Sequence, residues 1–420
     1  MKPETIRAVR GVQDILPART PAWQHVEAVA RRAFHRYGFG EIKIPIFEQT
    51  RLFTRGIGES TDIVHKEMYT FEDRSGDSLT LRPEATASIV RAYREHHLDK
   101  TGDVTKLYFI GPMFRYERPQ AGRLRQFHQI DCEVFGASHP AVDAEIIALA
   151  WEILSALGLT GLDVEINTLG DPGDRPAYLK VLRAYFTGHL DRLCEDCDRR
   201  FRENPLRILD CKKPGCREVA AASPALLDHV SRASRETFEK VLRLLDEEKI
   251  PHRVNPHLVR GLDYYTHTAF EITAEGLGAQ NTVAGGGRYD GLVEALGGPP
   301  TPATGFAIGM ERLISLLPET GDGRDERKVF LVALGGRASE RAFGWAQQWR
   351  RAGLSVLWDF DGRSLKAQMK KADRSGAAFA VLIGEDEIET GAARVRDLRD
   401  GVQRAVPFDE IPARILEELS

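Results

Sequence analysis

Residues 106–136 read KLYFIGPMFRYERPQAGRLRQFHQIDCEVFG, and this stretch decides the fold. Both ends are rich in Tyr, Phe, Ile and Val, which suit pleated, half-buried strands. The middle, 116–126, is a polar loop with two turn residues, Pro119 and Gly122, so the pattern predicts an antiparallel hairpin. In its second strand Phe127, Gln129, Asp131, Glu133 and Phe135 share one face, and His128, Ile130, Cys132 and Val134 share the other. Arg115, Arg118, Arg123 and Arg125 bunch at or near the loop. The plain alternative is a hairpin whose polar face meets water. The aromatics on that face and the adjoining arginines argue instead for a lined pocket. Guanidinium groups suit phosphate, and carboxylates suit cations or N–H donors.

Around this hairpin lie 420 residues, enough for about two to four domains. The chain is 42% hydrophobic and 29% charged, the composition of an ordinary globular protein. The opening residues, MKPETIRAVRG, hold no apolar run, so no signal peptide is expected, and no run long enough to span a membrane is found. A net charge of −4 does not announce nucleic acid; such a partner would need local basic patches. Five cysteines, an odd number, point to a reducing cytoplasm.

Upstream of the hairpin, Pro21 opens a helix with Trp23, Val26, Val29, Ala30 and Ala33 on one face, and Glu41 to Phe47 follows as a strand irregular at Pro45. Residues 55–61 form a glycine-bearing loop. Ser78 to Leu81 reads as a strand and 84–94 as a helix, placing Glu84 and Thr86 at a strand-to-helix turn. Polar residues there usually cap the helix. Downstream, 143–157 is an amphipathic helix stopped by Gly158, and 162–169 alternates as a strand. From 172 to 250 helical patterns dominate. Cys194, Cys197, Cys211 and Cys216 fall here. Two pairs suit zinc, but the second spacing is unusual and no His completes the set, so four reduced thiols are expected and no metal is assigned. Next come LVRGLDYYTHTAFEI (258–272), the glycine triplet of NTVAGGGRYDGL (281–292), read alone as a tight turn or a close backbone approach, and TGFAIGMERLISLL (304–317), a strand entering a helix that carries Arg312. Residues 318–326 have linker composition. Beyond them strands and helices alternate, predicting an α/β domain with a largely parallel sheet. Lys366, Lys370, Lys371 and Arg374 sit on one of its helices, where a solvated face is the plain explanation.

FRYERPQAGRLRQFHQIDCEVFG resembles motif 2 of the class II aminoacyl-tRNA synthetases. TLRPEATASIVRAY, RGLDYYTHTAFE and NTVAGGGRYDGL resemble the histidyl-tRNA synthetase family within that class. The first helix and strand are similar to motif 1, 304–317 to motif 3, and 172–254 to that family's helical insertion. The resemblance implies an α+β fold: a class II antiparallel-sheet catalytic core at 1–171 and 255–320, the insertion at 172–254, and a C-terminal α/β anticodon-binding domain at 326–420. It implies a ligase that joins histidine to tRNA(His) through a histidyl-adenylate, working as a homodimer with ATP and Mg²⁺. Arg115 and Arg260 would hold the α-phosphate and the carboxylate. Arg123 and Arg312 would meet the distal phosphates, Phe127 would stack on adenine and Glu117 would touch its edge. Glu84, Thr86 and Gln129 would take the α-ammonium. Glu133 with Tyr265 would read the imidazole, and Tyr264 and Tyr289 would wall the pocket. The rival expectation is a non-catalytic relative, the regulatory subunit of ATP phosphoribosyltransferase. In that case the Arg260 segment and the C-terminal domain should be missing, and both are present.

Overall fold

The computed structural model describes residues 5–58, 61–119, 123–275, 281–318 and 325–418. Gly122 of the expected hairpin loop, Glu59 and Ser60 of the expected 55–61 loop, and 319–324 of the expected linker lie outside the described residues. The chain divides into two compact units, Met1–Pro318 and Glu319–Ser420.

The first unit is built on an eight-stranded sheet. Its strands and those of a small side sheet are β1 (Gly40–Glu41), β2 (Phe47–Gln49), β3 (Tyr69–Glu72), β4 (Ser78–Leu81), β5 (Thr105–Phe114), β6 (Gln126–Phe135), β7 (Asp163–Thr168), β8 (His252–Val254), β9 (Thr266–Thr273), β10 (Thr282–Arg288) and β11 (Ala303–Gly309). The large sheet runs β1-β5-β6-β11-β10-β9-β7-β8, antiparallel throughout except at its two short edge strands. The central hairpin is β5–β6, with Phe114 opposite Gln126. Strands β2, β4 and β3 form the side sheet. Pro45 falls in the irregular stretch between β1 and β2, as a residue without an N–H should.

Residues opposite one another in antiparallel strands share a face, so the register sorts the chemistry. One set of rows is apolar: Phe270, Gly286, Phe306, Cys132 and Tyr108, then Ile272, Ala284, Ile308, Ile130 and Ile110. This face packs on helices α1 (Thr20–Arg36) and α4 (Pro140–Ala156). Trp23, Val26, Val29, Ala30 and Ala33 are all buried on α1, the face the spacing predicts. The intervening rows are polar or hollow: Glu271, Gly285, Ala307, Asp131 and Phe109, then Ala269, Gly287, Gly305, Glu133 and Leu107. On one side each carboxylate faces only hydrogen or methyl: Glu271 faces Gly285, Asp131 faces Ala307 and Glu133 faces Gly305.

Helices α2 (Thr50–Ile57) and α3 (Thr86–Glu95) flank the hollow face. Residues 172–254 hold α5 (Arg175–Thr187), α6 (Glu195–Glu203), α7 (Pro214–Ala221) and α8 (Arg232–Glu247). The last differs from the expected insertion. Its Phe238, Val241 and Leu245 join the core beneath the large sheet, so α8 belongs structurally to the sheet, while α5–α7 close a small core of their own. Short α9 (Leu292–Ala295) and α10 (Met310–Leu316) complete the unit.

In the second unit a five-stranded sheet runs β13-β12-β14-β15-β16, from β12 (Asp325–Ala333), β13 (Ser355–Trp358), β14 (Ala377–Ile383), β15 (Ala392–Asp397) and β16 (Gln403–Pro407). It packs with α11 (Gly336–Arg351) and α14 (Ile411–Glu417) on one face, and α12 (Leu365–Arg374) contributes to a second cluster; α13 is Glu385–Thr390. The sheet is parallel at β13-β12-β14 and antiparallel through β15 and β16. That hairpin hides in the sequence because its buried apolar residues are few, Ala393 and Val395 on β15 and Val406 on β16, among exposed Arg394, Arg396 and Arg404. Among the described residues no helix is long and apolar enough to cross a membrane.

Candidate active site

At the open end of the hollow face a cavity of about 200 Å³ is lined by Arg115, Glu117, Arg123, Phe127, Gln129 and Arg312, with Ala307 and Gly309 among the small residues of its wall. The five residues expected to meet nucleotide are therefore gathered on one hollow. Strand β5 ends at Phe114, so Arg115 leaves the sheet there; its Nε donates to the Pro83 carbonyl at 2.8 Å and its guanidinium lies 5.2 Å over the Phe127 ring. Arg123 pairs with Glu117 at 3.3 Å. Arg312, in the first turn of α10, donates to the Thr282 carbonyl at 3.1 Å. Its basicity is lowered by burial and then by the charges of Arg123 and Arg115. Cations crowded until they repel one another form a receptor for a polyanion.

Deeper on the same face stand three buried carboxyls, Glu84, Asp131 and Glu133. Burial pushes Glu133 and Asp131 well above the ordinary carboxylate range and raises Glu84 as well; the charge of Glu84 adds to the rise at Asp131. Glu133 accepts from Thr86 Oγ1 at 2.6 Å and from the Tyr289 hydroxyl. Tyr265, expected to meet the second imidazole nitrogen, is buried with its ring 4.7 Å from that of Tyr264, and the Arg260 guanidinium lies 5.9 Å from its centroid. Tyr264 packs edge-on to Tyr289 at 5.4 Å. Glu84 fulfils the capping role that its position suggested, its two oxygens accepting from the Thr86 and Ala87 N–H groups at 2.9 and 2.8 Å. Among the described residues, Gln129 Oε1 and Asp131 Oδ2 are buried without a hydrogen-bond partner. Three carboxyls and an orphaned amide oxygen suit a cationic, N–H-rich ligand.

Arg260 links the two regions. It is ion-paired with Glu271, whose other oxygen accepts from Thr282 Oγ1 at 2.7 Å. The glycine triplet explains how this side chain fits. It forms the interior of β10, not a turn, and a Cβ at Gly285 would stand 2.5 Å from the Arg260 guanidinium. On β11 the parallel device is Gly305, where a Cβ would stand 2.0 Å from Glu133 Oε2. The strands carry no side chain where the charged groups lie flat. Arg288, beside the triplet, is structural: it is buried against Asp143 of α4 at 2.7 Å, and Thr268 donates to the same carboxylate at 2.8 Å.

The residues 11–313 match the model of the histidyl-tRNA synthetase family, and 328–418 match that of the anticodon-binding domain. The chain belongs to the histidyl-tRNA synthetase family. It is 50% identical to the histidine–tRNA ligase of Pelotomaculum thermopropionicum over 98% of this chain and 97% of that one. It is also 50% identical to that of Halothermothrix orenii, over 99% of both. The apo crystal structure of the Staphylococcus aureus histidyl-tRNA synthetase superposes with a TM-score of 0.83 at 36% identity, covering 98% of this chain and all of that one.

For this member of the histidyl-tRNA synthetase family, the sequence left Asp131, Glu271 and Glu311 out of the site. Glu311 lines the cavity and accepts from the His128 N–H at 2.9 Å. Asp131 was visible as part of an alternating polar face. The signal that promotes it is the alanine opposite, Ala307, which leaves its carboxyl facing a hollow. The four cysteines of the insertion converge, with their Sγ atoms all within 4.8 Å of one another.

Proposed function

We propose that this chain activates histidine with ATP and transfers it to the 3′ end of tRNA(His). The observation that carries this reading is a cavity that gathers Arg115, Arg123 and Arg312 with Glu117 and Phe127, beside the buried carboxyls of Asp131 and Glu133 on the same strand face. Joining a carboxylate to the α-phosphate of ATP brings two anions together, which costs heavily unless fixed positive charge receives them. Arg115 and Arg260 flank the place where the two would meet. Arg123 and Arg312 take the outer phosphates, Phe127 offers a ring to adenine and Glu117 an acceptor to its amino group. Mg²⁺ travels with ATP as part of that substrate, and Glu117 and Glu311 are hard oxygen donors on the cavity wall.

Histidine brings an ammonium and an imidazole. Glu84, Thr86, Asp131 and Gln129 offer acceptors to the first; Glu133, oriented by Tyr289 and Thr86, accepts from the second, with Tyr264 and Tyr265 as walls. The ligand supplies the positive charge that the carboxyl cluster lacks. The second unit reads the anticodon. The first unit pairs with a second copy: Phe47 and Phe71 are more than 40% exposed, edge-on at 6.5 Å, on the side sheet, an apolar surface suited to cover. The reaction belongs in the cytoplasm, where tRNA is charged. Histidine-dependent ATP–pyrophosphate exchange, followed by charging of purified tRNA, tests the proposal. A chain that binds histidine without exchange is instead a non-catalytic relative of the ATP phosphoribosyltransferase regulatory type.

A further inference from the structure

We propose that Cys194, Cys197, Cys211 and Cys216 hold one Zn²⁺ ion as a closed tetrathiolate centre that pins the α6–α7 region to the Arg260 loop. Sequence spacing alone favoured free thiols; the fold changes the balance. Cys194 caps α6 and Cys197 lies in its first turn, Cys211 follows the single turn Pro205–Ile208, and Cys216 lies in the first turn of α7. Three chain segments thus deliver four sulfurs to one point, with every Sγ within 4.8 Å of every other. A tetrahedral zinc–thiolate site has Zn–S bonds of about 2.3 Å, hence S–S edges of about 3.8 Å, so closure asks each sulfur to move by about 1 Å or less. Two disulfides would instead leave two tight pairs set apart. Cys194 and Cys211 stand 4.0 Å apart, and the Cys194 N–H points at Cys216 Sγ at 3.2 Å, an N–H···S contact of the kind that supports a thiolate ligand. Three of the four thiols are buried in the small core of α5–α7. With four protein ligands no position stays open for substrate, so the ion is structural.

The centre sits where it can matter to the site. Arg199 and Arg200 of α6 hold Asp62 at 3.2 and 2.5 Å, and Asn204 donates to Asp263 at 2.9 Å. Arg207, between Cys197 and Cys211 in the chain, donates to the Arg260 carbonyl at 2.8 Å. Zinc would fix the segments that carry these contacts.

The test uses the full chain purified without chelator. Elemental analysis should find about one zinc per chain. After removal of zinc, refilling with Co²⁺ should give the visible d–d bands and the near-ultraviolet charge-transfer band of a tetrahedral thiolate site. Cys211→Ser and Cys216→Ser should each abolish tight binding, while Cys132→Ser, in the main core, should retain it. Hydrogen exchange across 194–216 should rise when zinc is stripped. The proposal fails if the wild-type chain carries no zinc and gives no cobalt spectrum. It also fails if the freshly isolated protein holds these cysteines as disulfides, or if stripping a bound metal leaves exchange at 194–216 unchanged. The cobalt spectrum is read on the wild-type chain, so it decides the matter even where a serine variant fails to fold.

Discussion

A single methyl group at Gly285 tests the site more sharply than removal of a charge. The Cβ of Gly285→Ala would lie 2.5, 2.6 and 2.7 Å from Nη2, Nη1 and Cζ of Arg260. Ordinary contact begins at 3.4 Å, so the guanidinium must retreat by about 1 Å. Strand geometry is not the obstacle, because Gly285 does not occupy the positive-φ region and the three nearest atoms all belong to the end of the Arg260 side chain. Alanine also loses less backbone entropy on folding, by roughly 0.5–1 kcal/mol, which offsets the local crowding. The unfolding midpoint should therefore stay within about 3 °C of the parent. Catalysis should not be spared, since a 1 Å misplacement of a positioning charge costs about 100-fold, or roughly 2.7 kcal/mol of barrier. The assay is histidine-dependent ATP–pyrophosphate exchange beside a thermal melt. Placing Gly285→Ala in an Arg260→Ala background closes a cycle: the methyl group should then cost little more, because the side chain it displaces is gone. Near-parent exchange by Gly285→Ala, or fully additive losses in the double variant, would refute the assignment of Arg260 to the reacting centre. Gly286→Ala is the contrasting control. Its Cβ would strike the Gly305 backbone oxygen at 2.1 Å, so it should lose stability first, by about 1–3 kcal/mol.

Glu133→Gln removes the charge but keeps the shape, and charged hydrogen bonds are worth about 1.5–3 kcal/mol, so KM for histidine in the exchange reaction should rise roughly 10- to 100-fold with KM for ATP little changed; parallel rises would dismiss imidazole reading. The carboxyls also set a pH dependence. The folded-state values of Asp131 and Glu133 lie well above their ordinary 3.8 and 4.5, so the folded state holds those protons more tightly and the unfolded state releases them first. Their contribution to stability is full below the ordinary values and drains away as pH rises through the raised ones. Asp131→Asn should flatten that decline in melts of the ligand-free chain while weakening histidine binding; an unchanged slope would show that Asp131 is not a strained buried acid. Removal of the chain after Pro318 should leave adenylate formation largely intact and lower tRNA charging by about 100-fold, measured by aminoacylation at sub-saturating tRNA; equal charging would exclude the second unit as an RNA reader.

Much of the scaffold was legible because burial imposes periodicity. Strand β4 falls at the residues its pattern predicts, and α1 and α4 bury the faces their spacing marks out. What escaped was of two kinds. The first is strands whose exposed positions are all charged. In β15 the buried Ala393 and Val395 alternate with Arg394 and Arg396, and the short run gives too little apolar signal to separate a strand from a loop. The second is contact between distant segments. The hydrogen bond from Tyr289 to Glu133 joins the end of β10 to β6 across β11, a neighbourhood that sequence separation conceals.

The deeper difficulty is that a binding site is made as much by what is missing as by what is present. Searching a sequence for chemistry finds walls: arginines, carboxylates, tyrosines. Here the floor consists of Gly285, Ala307, Gly305 and Gly309, aligned across β10 and β11 with Glu271, Asp131, Glu133 and Gln129 on the neighbouring strands. None of those small residues has any reactivity, and each alone is an unremarked break in a strand. Their alignment becomes visible only once the register is known, and it then moves Asp131 from a solvated strand face to the buried interior and sets Glu271 against Arg260. A carboxylate opposite valine would be forced against a neighbour or out to water. Opposite glycine the charged group itself takes the space, as Glu133 does over Gly305 and Arg260 over Gly285, and the buried Asp131 Oδ2, left without a partner opposite Ala307, is stabilised when something of opposite sign comes to meet it.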